Sequence, residues 1–246
     1  FAKNLNLGDI VGRIDWTGFF NFWGFKGKYP EVAYKNEEAE KLYDQALACV
    51  AEMAVDGSVE ASVMLKFFDA VSAVDGEQDV IRLFDKKLVG VIPVPRQVVE
   101  GSEYLSLADF ISKDIPSRVG IFVLKIEDRR AEQLDHKSFE YLLRYSICAR
   151  LAEALAGWMQ AQVSTVAAEG TADSAQSSGT AQTLHIIRPA FGYPVCPDHS
   201  LKRVVFNILR VQDRLDIKLT ESNAIIPTTS ICGMLIAHPD ARFFDV

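Results

Sequence analysis

Most of the short patterns that mark a particular chemistry are missing from these 246 residues. No G-x-x-x-x-G-K-[ST] or G-x-G-x-x-G loop occurs, so nothing in the sequence supports a phosphate held at a helix N-terminus. The four histidines (His136, His185, His199, His238) are dispersed, with no H-x-x-x-H pair, which argues against a metal site. No G-x-S-x-G elbow is present. Cysteine is scarce: Cys49, Cys148, Cys196 and Cys232 lie far apart with no C-x-x-C, so buried free thiols are expected rather than a disulfide framework or zinc site. No apolar run approaches the roughly 18 to 20 residues of a membrane span. Basic charge is in deficit, with Lys and Arg totalling 26 against 33 Asp and Glu, and the net charge of −7 argues against a general nucleic-acid binder. The opening FAKNLNLGDIVGRID has no signal-peptide apolar core, so a cytoplasmic protein is expected, and Phe1 in place of Met points to residues removed or left out upstream.

What is present reads as globular: 49% hydrophobic and 24% charged residues suffice for a substantial core. Aromatic residues crowd the start (Trp16, Phe19, Phe20, Phe22, Trp23, Phe25), a cluster that reads as core. Ala39, Leu42, Tyr43, Ala46, Leu47, Val50 and Met53 recur at helical spacing, and Gly57 supplies a stop. Residues 62–68 and 80–84 read as strands joined through the turn-prone Asp75-Gly76. Pro93 and Pro95 read as punctuation, residues 105–111 as a short helix and residues 119–126 as a buried strand. A long helix is predicted over about 130–163, and the small, polar, Gly/Ser-rich stretch 164–183 as a mobile loop. Asp198 is placed to cap a helix carrying Leu201, Val204, Val205, Ile208 and Leu209. Residues 217–219 and 231–237 read as strands, the second ended by Pro239. Without regular β-α-β alternation, this favours an α+β fold: a mainly antiparallel β-sheet flanked by long α-helices, with 1–246 as a single domain.

One segment stands apart: Arg188-Pro189-Ala190-Phe191-Gly192-Tyr193-Pro194-Val195-Cys196-Pro197-Asp198-His199. Its prolines fix φ and remove donors, and Gly192 permits close approach of backbone to a ligand. A rigid loop presenting backbone groups beside one guanidinium suits a carboxylate. A Pro-rich turn before a helix is the equally available reading.

The segment resembles the R-P-A-x-G-Y-P-x-x-P-[DE]-H signature of the reactivation domain of cobalamin-dependent methionine synthase. Further blocks are similar in the same order: Ile14-Asp15-Trp16-Thr17-Gly18-Phe19-Phe20 with Gly27-Lys28-Tyr29-Pro30, Arg150-Leu151-Ala152-Glu153-Ala154, Leu219-Thr220-Glu221-Ser222, and His238-Pro239-Asp240-Ala241-Arg242-Phe243-Phe244. The likeness covers nearly the whole chain.

The resemblance implies S-adenosylmethionine as methyl donor for reductive methylation of cob(II)alamin, with the chain a component of the methyltransferase rather than a complete enzyme. It implies that Asp15 faces the ligand's amino group and Arg188 its carboxylate, that Ala190 and Gly192 give backbone contacts, and that Tyr193 shapes the pocket. Glu153 is then either a carboxylate near the sulfonium or an exposed helix glutamate. Phe243 and Phe244 stand where the family usually has two tyrosines, at a cost of about 0.5 to 1.5 kcal/mol for each hydrogen bond lost. The Ser/Gly-rich stretch before Arg188 and the stop at Val246 also depart from the family pattern. No D-x-H-x-x-G cobalamin motif occurs, so cobalamin is expected on another domain or chain, and flavodoxin or a similar protein as electron donor. The competing expectation is a non-catalytic module that docks on a cobalamin-binding partner with weakened ligand binding.

Overall fold

The computed structural model describes residues 5–98, 101, 103–172 and 184–244. The aromatic cluster forms two short helices, α1 (Gly8–Val11) and α2 (Trp16–Phe22), that bury Ile10, Phe19 and Phe20. Trp16 meets Phe19 and Tyr43 edge-on at 5.4 and 5.0 Å between centroids, a geometry the ring quadrupoles favour. Phe22 is the exception to the core reading, at 51% exposure. Helix α3 (Glu37–Asp56) starts where the Asn36 side chain accepts from the Ala39 N–H and stops at Gly57, whose φ of +65° ends the helix without a Cβ penalty.

The hairpin predicted around Asp75-Gly76 forms. Strand β1 (Val59–Asp75) turns through Gly76, at φ +63°, into β2 (Gln78–Asp85) with Asp75 opposite Gln78. A strand the sequence reading missed follows, β3 (Lys87–Val94). Pro93 sits within it opposite Val80, which is tolerated because β3 is an edge strand and its outer side needs no donor. The short helix expected at 105–111 is a 3-10 turn, Leu107–Phe110, held by a reciprocal capping box between Ser106 and Asp109. Strand β4 (Ser117–Asp128) pairs with β1 along twelve residues.

The long helix α4 (Phe139–Ala172) begins later than expected, after Ser138, whose hydroxyl accepts from the Tyr141 N–H. It also ends later. The loop expected at 164–183 is corrected in its first half, because helix elongation is cheap once nucleated and Ala167, Ala168 and Glu169 are good helix formers. Its second half, 173–183, lies outside the described residues.

Strand β5 (His185–Ile187) opens the Pro-rich segment, and α5 (Leu201–Leu209) and α6 (Val211–Leu215) follow it. Asp198 does not cap α5 as expected. Its carboxylate accepts from the Ser200 N–H at 2.7 Å, closing an Asx turn just outside the helix. A two-stranded ribbon, β6 (Lys218–Leu219) with β7 (Ile225–Ile226), precedes β8 (Ser230–His238).

The six-stranded sheet has the order β3-β2-β1-β4-β8-β5, antiparallel throughout. Both faces are covered, so the central strands carry apolar residues on each. In β4, Phe122, Leu124 and Ile126 join the layer of α3 and α4, while Val119, Ile121 and Val123 join the layer of α5 and α6. The fold is α+β as read, with both long helices on one face.

Candidate functional site

Residue by residue, the chain after β5 keeps the sheet register although the strand formally ends at Ile187. Phe191 N–H donates to Cys232 O at 3.0 Å and Met234 N–H to Pro189 O at 2.9 Å, with Ala190 opposite Gly233. Gly233 makes this possible. A Cβ there would stand 2.6 Å from Pro189 O, a backbone atom that cannot swing aside. The alternation of an antiparallel ladder then turns the backbone groups of Ile186, Arg188 and Ala190 away from β8, toward the free edge of the sheet.

A cavity of about 430 Å³ lies along this edge, lined by Glu153 of α4, by Arg188, Ala190, Tyr193 and neighbouring loop residues, by Ile231 of β8 and by Phe243 and Phe244. That volume suits a small organic ligand. Six of the eight residues singled out from sequence therefore share one cavity: Glu153, Arg188, Ala190, Tyr193, Phe243 and Phe244. Phe244 packs on the core and against Phe110, with centroids 6.2 Å apart, whereas Phe243 is 65% exposed.

Arg188 is held from below by α4. Its Nη1 donates to Gln160 Oε1 at 2.9 Å and its Nη2 to Glu153 Oε2 at 3.4 Å. Gln160 in turn donates from Nε2 to the outward-turned Ile186 carbonyl at 3.0 Å. The sequence reading did not name Gln160. The available signal was its spacing of seven residues from Glu153, which puts both on one helix face.

The other two expected residues stand off the cavity wall. Gly192, at φ +103°, gives its N–H to Cys196 O at 2.8 Å, and a Cβ there would stand 2.5 Å from His199 Cε1. It shapes the loop rather than facing the cavity. Asp15 is the N-cap residue of α2. A Cβ at Gly18 would stand 2.6 Å from both Asp15 Oδ2 and Arg150 Nη1, so glycine is what lets these side chains gather one helical turn before Glu153.

All four cysteines are free and buried, and burial pushes the thiols up, Cys49 to about 11 and Cys196 to about 12. Among the described residues no group of three or more His, Cys, Asp or Glu stands ready to hold a metal ion, and no helix is long and apolar enough to cross a membrane.

Residues 6–246 match the family described as vitamin B12 dependent methionine synthase, activation domain. Among solved structures, the crystal structure of the MetH reactivation domain bound to AdoHcy superposes with a TM-score of 0.83 at 25% sequence identity. The match covers 99% of this chain and 79% of that one.

Proposed function

The chain belongs to the vitamin B12-dependent methionine synthase activation domain family, and on that premise we propose that its cavity takes S-adenosylmethionine as methyl donor for the reductive methylation of cob(II)alamin. Residues 1–246 are taken as one such domain. The observation that carries the reading is Arg188, a guanidinium fixed at the rim of a cavity of about 430 Å³ beside an outward-turned Ala190 amide. The donor set fits the ligand. Arg188 takes the carboxylate through charge-assisted hydrogen bonds, and the Ala190 N–H adds a further donor. Glu153 contributes negative charge suited to the sulfonium. Tyr193, Phe243 and Phe244 offer ring surface to the adenine, and Asp15 is assigned the ammonium. Gly192 keeps the loop in shape. The AdoHcy bound to the similar MetH reactivation domain is the demethylated product of this donor, which supports the choice of ligand.

The cobalt centre, carried on another domain or chain, supplies the nucleophile, and flavodoxin or a similar protein supplies one electron as the methyl group moves from sulfur to cobalt. No general acid or base is assigned to this chain, because the sulfur leaves as a neutral thioether without needing a proton. Its residues bind, orient and shield the reacting groups.

Calorimetric titration with S-adenosylmethionine tests the reading, followed by restoration of a cobalamin-bearing partner under reducing conditions. Arg188→Ala is expected to lower affinity about 10- to 100-fold, the loss of a charged hydrogen bond worth about 1.5 to 3 kcal/mol. Unchanged affinity sinks the role of Arg188. Binding without restoration leaves the docking-module reading, which the absence of hydroxyls at Phe243 and Phe244 favours.

A further inference from the structure

An arginine that must meet a ligand carboxylate has a difficulty of its own. Its side chain is long and flexible, and a carboxylate partner strong enough to fix it also competes for the charge the ligand needs. Around Arg188 the two tasks are divided. Glu153 meets Nη2 at 3.4 Å and is 41% exposed, a loose contact in the screened surface range. Gln160 meets Nη1 at 2.9 Å and carries no charge. The amide cannot turn over: its Nε2 donates to Ile186 O at 3.0 Å, so only one orientation places an acceptor against the guanidinium. Both ends of Gln160 thus grip a three-residue stretch of chain, the carbonyl of Ile186 and the side chain of Arg188.

The geometry points to Gln160 as a positioning residue that sets the Arg188 guanidinium for a carboxylate-bearing ligand and so determines preference for that group. The inference rests on the ligand proposed above. Gln160 is not itself among the residues lining the cavity and acts through Arg188, which is. A neutral partner orients the guanidinium while leaving its charge to the ligand, whereas Glu153 is the partner an incoming carboxylate displaces. Seven residues of helix separate the two, so α4 works as a ruler that holds one Nη group of Arg188 and releases the other.

The test compares two ligands on the intact chain, S-adenosylmethionine and its decarboxylated analogue, by calorimetry with wild type, Gln160→Ala and Gln160→Glu. Wild type is expected to prefer the carboxylate-bearing ligand. Gln160→Ala should weaken S-adenosylmethionine binding about tenfold, while affinity for the decarboxylated analogue stays within about twofold. Gln160→Glu sets a second carboxylate against Arg188 and should erase the preference altogether, with a single cooperative thermal unfolding transition retained to show the fold intact. Equal losses for both ligands would mean a merely structural role and overturn the inference, as would undiminished S-adenosylmethionine binding in both variants. A wild type that binds neither ligand instead overturns the proposed function, and the role of Gln160 falls with it.

Discussion

Lys202 shows what a single side chain discloses. It sits in the first turn of α5 at 7% exposure, with Nζ 2.7 Å from His199 Nδ1. Burial pulls its ammonium below the usual lysine range. Below that depressed value the charge is carried into the fold and the penalty is complete. As pH rises through it toward the ordinary lysine value near 10.4, the unfolded chain binds more protons than the native one, and the native state gains stability. Lys202→Met is therefore expected to raise unfolding free energy at neutral pH by about 1 kcal/mol. The advantage should shrink as pH climbs, as read by denaturant titrations across that range; a gap that widens with pH means the lysine is not penalised by burial. Nothing in the sequence flagged this residue, because Lys202 occupies a position that helical periodicity alone leaves undetermined. Gln160 offered only its spacing from Glu153 as a signal, since its partners lie 26 and 28 residues away along the chain.

Among elements, the loop from Arg188 to His199 was the most legible and also the most incompletely read. Its prolines and glycine announced a fixed, irregular path, and the path exists. What the residues of the loop could not disclose is the surface it lies on. Gly233, in the middle of β8, reads as a weak point in a strand, yet it is the position where another backbone comes closest. Gly233→Ala should push Pro189 away from β8, break the Phe191 and Met234 hydrogen bonds, and abolish measurable S-adenosylmethionine binding. A loss of about 2 to 3 kcal/mol in stability should accompany it, as two backbone hydrogen bonds are lost. Retained binding with full stability would show that the loop does not depend on that contact. The strand β3 escaped notice for a related reason: a proline in a strand is disqualifying only where a donor is required, and the edge position of β3 cannot be read from its own residues. In contrast, α3, β1, β2 and β4 were legible because each carries its own periodicity or its own turn signal.

For the molecule as a whole, the joint between the sheet and the long helices rests on Arg144, 1% exposed on α4. Its guanidinium meets Asp128 at the end of β4 at 2.6 and 3.2 Å, donates to Ser58 before β1 at 2.9 Å, and reaches Glu52 of α3 at 3.3 Å. One cation thus ties α3, α4, β4 and the α3–β1 link at one end of the sheet. Asp128→Ala strands that charge in the interior and should cost about 3 to 5 kcal/mol, read as a lowered denaturation midpoint with an unchanged slope. A loss below 1 kcal/mol would show that water or Glu52 readily takes over. The α+β class and the sheet's antiparallel character followed from periodicity, whereas the order β3-β2-β1-β4-β8-β5 did not, since pairing between β4 and β8 joins residues about a hundred positions apart. That order has an outcome for the molecule's solubility. The β5 edge exposes the backbone row of Ile186, Arg188 and Ala190, which in a bare sheet would invite a strand from another copy. Here Gln160 caps the first position, an arginine occupies the second, and the third opens on the cavity. With its cavity at the rim of the sheet, the chain leaves no bare strand edge there, so lining the proposed site and blunting that edge fall to the same few residues.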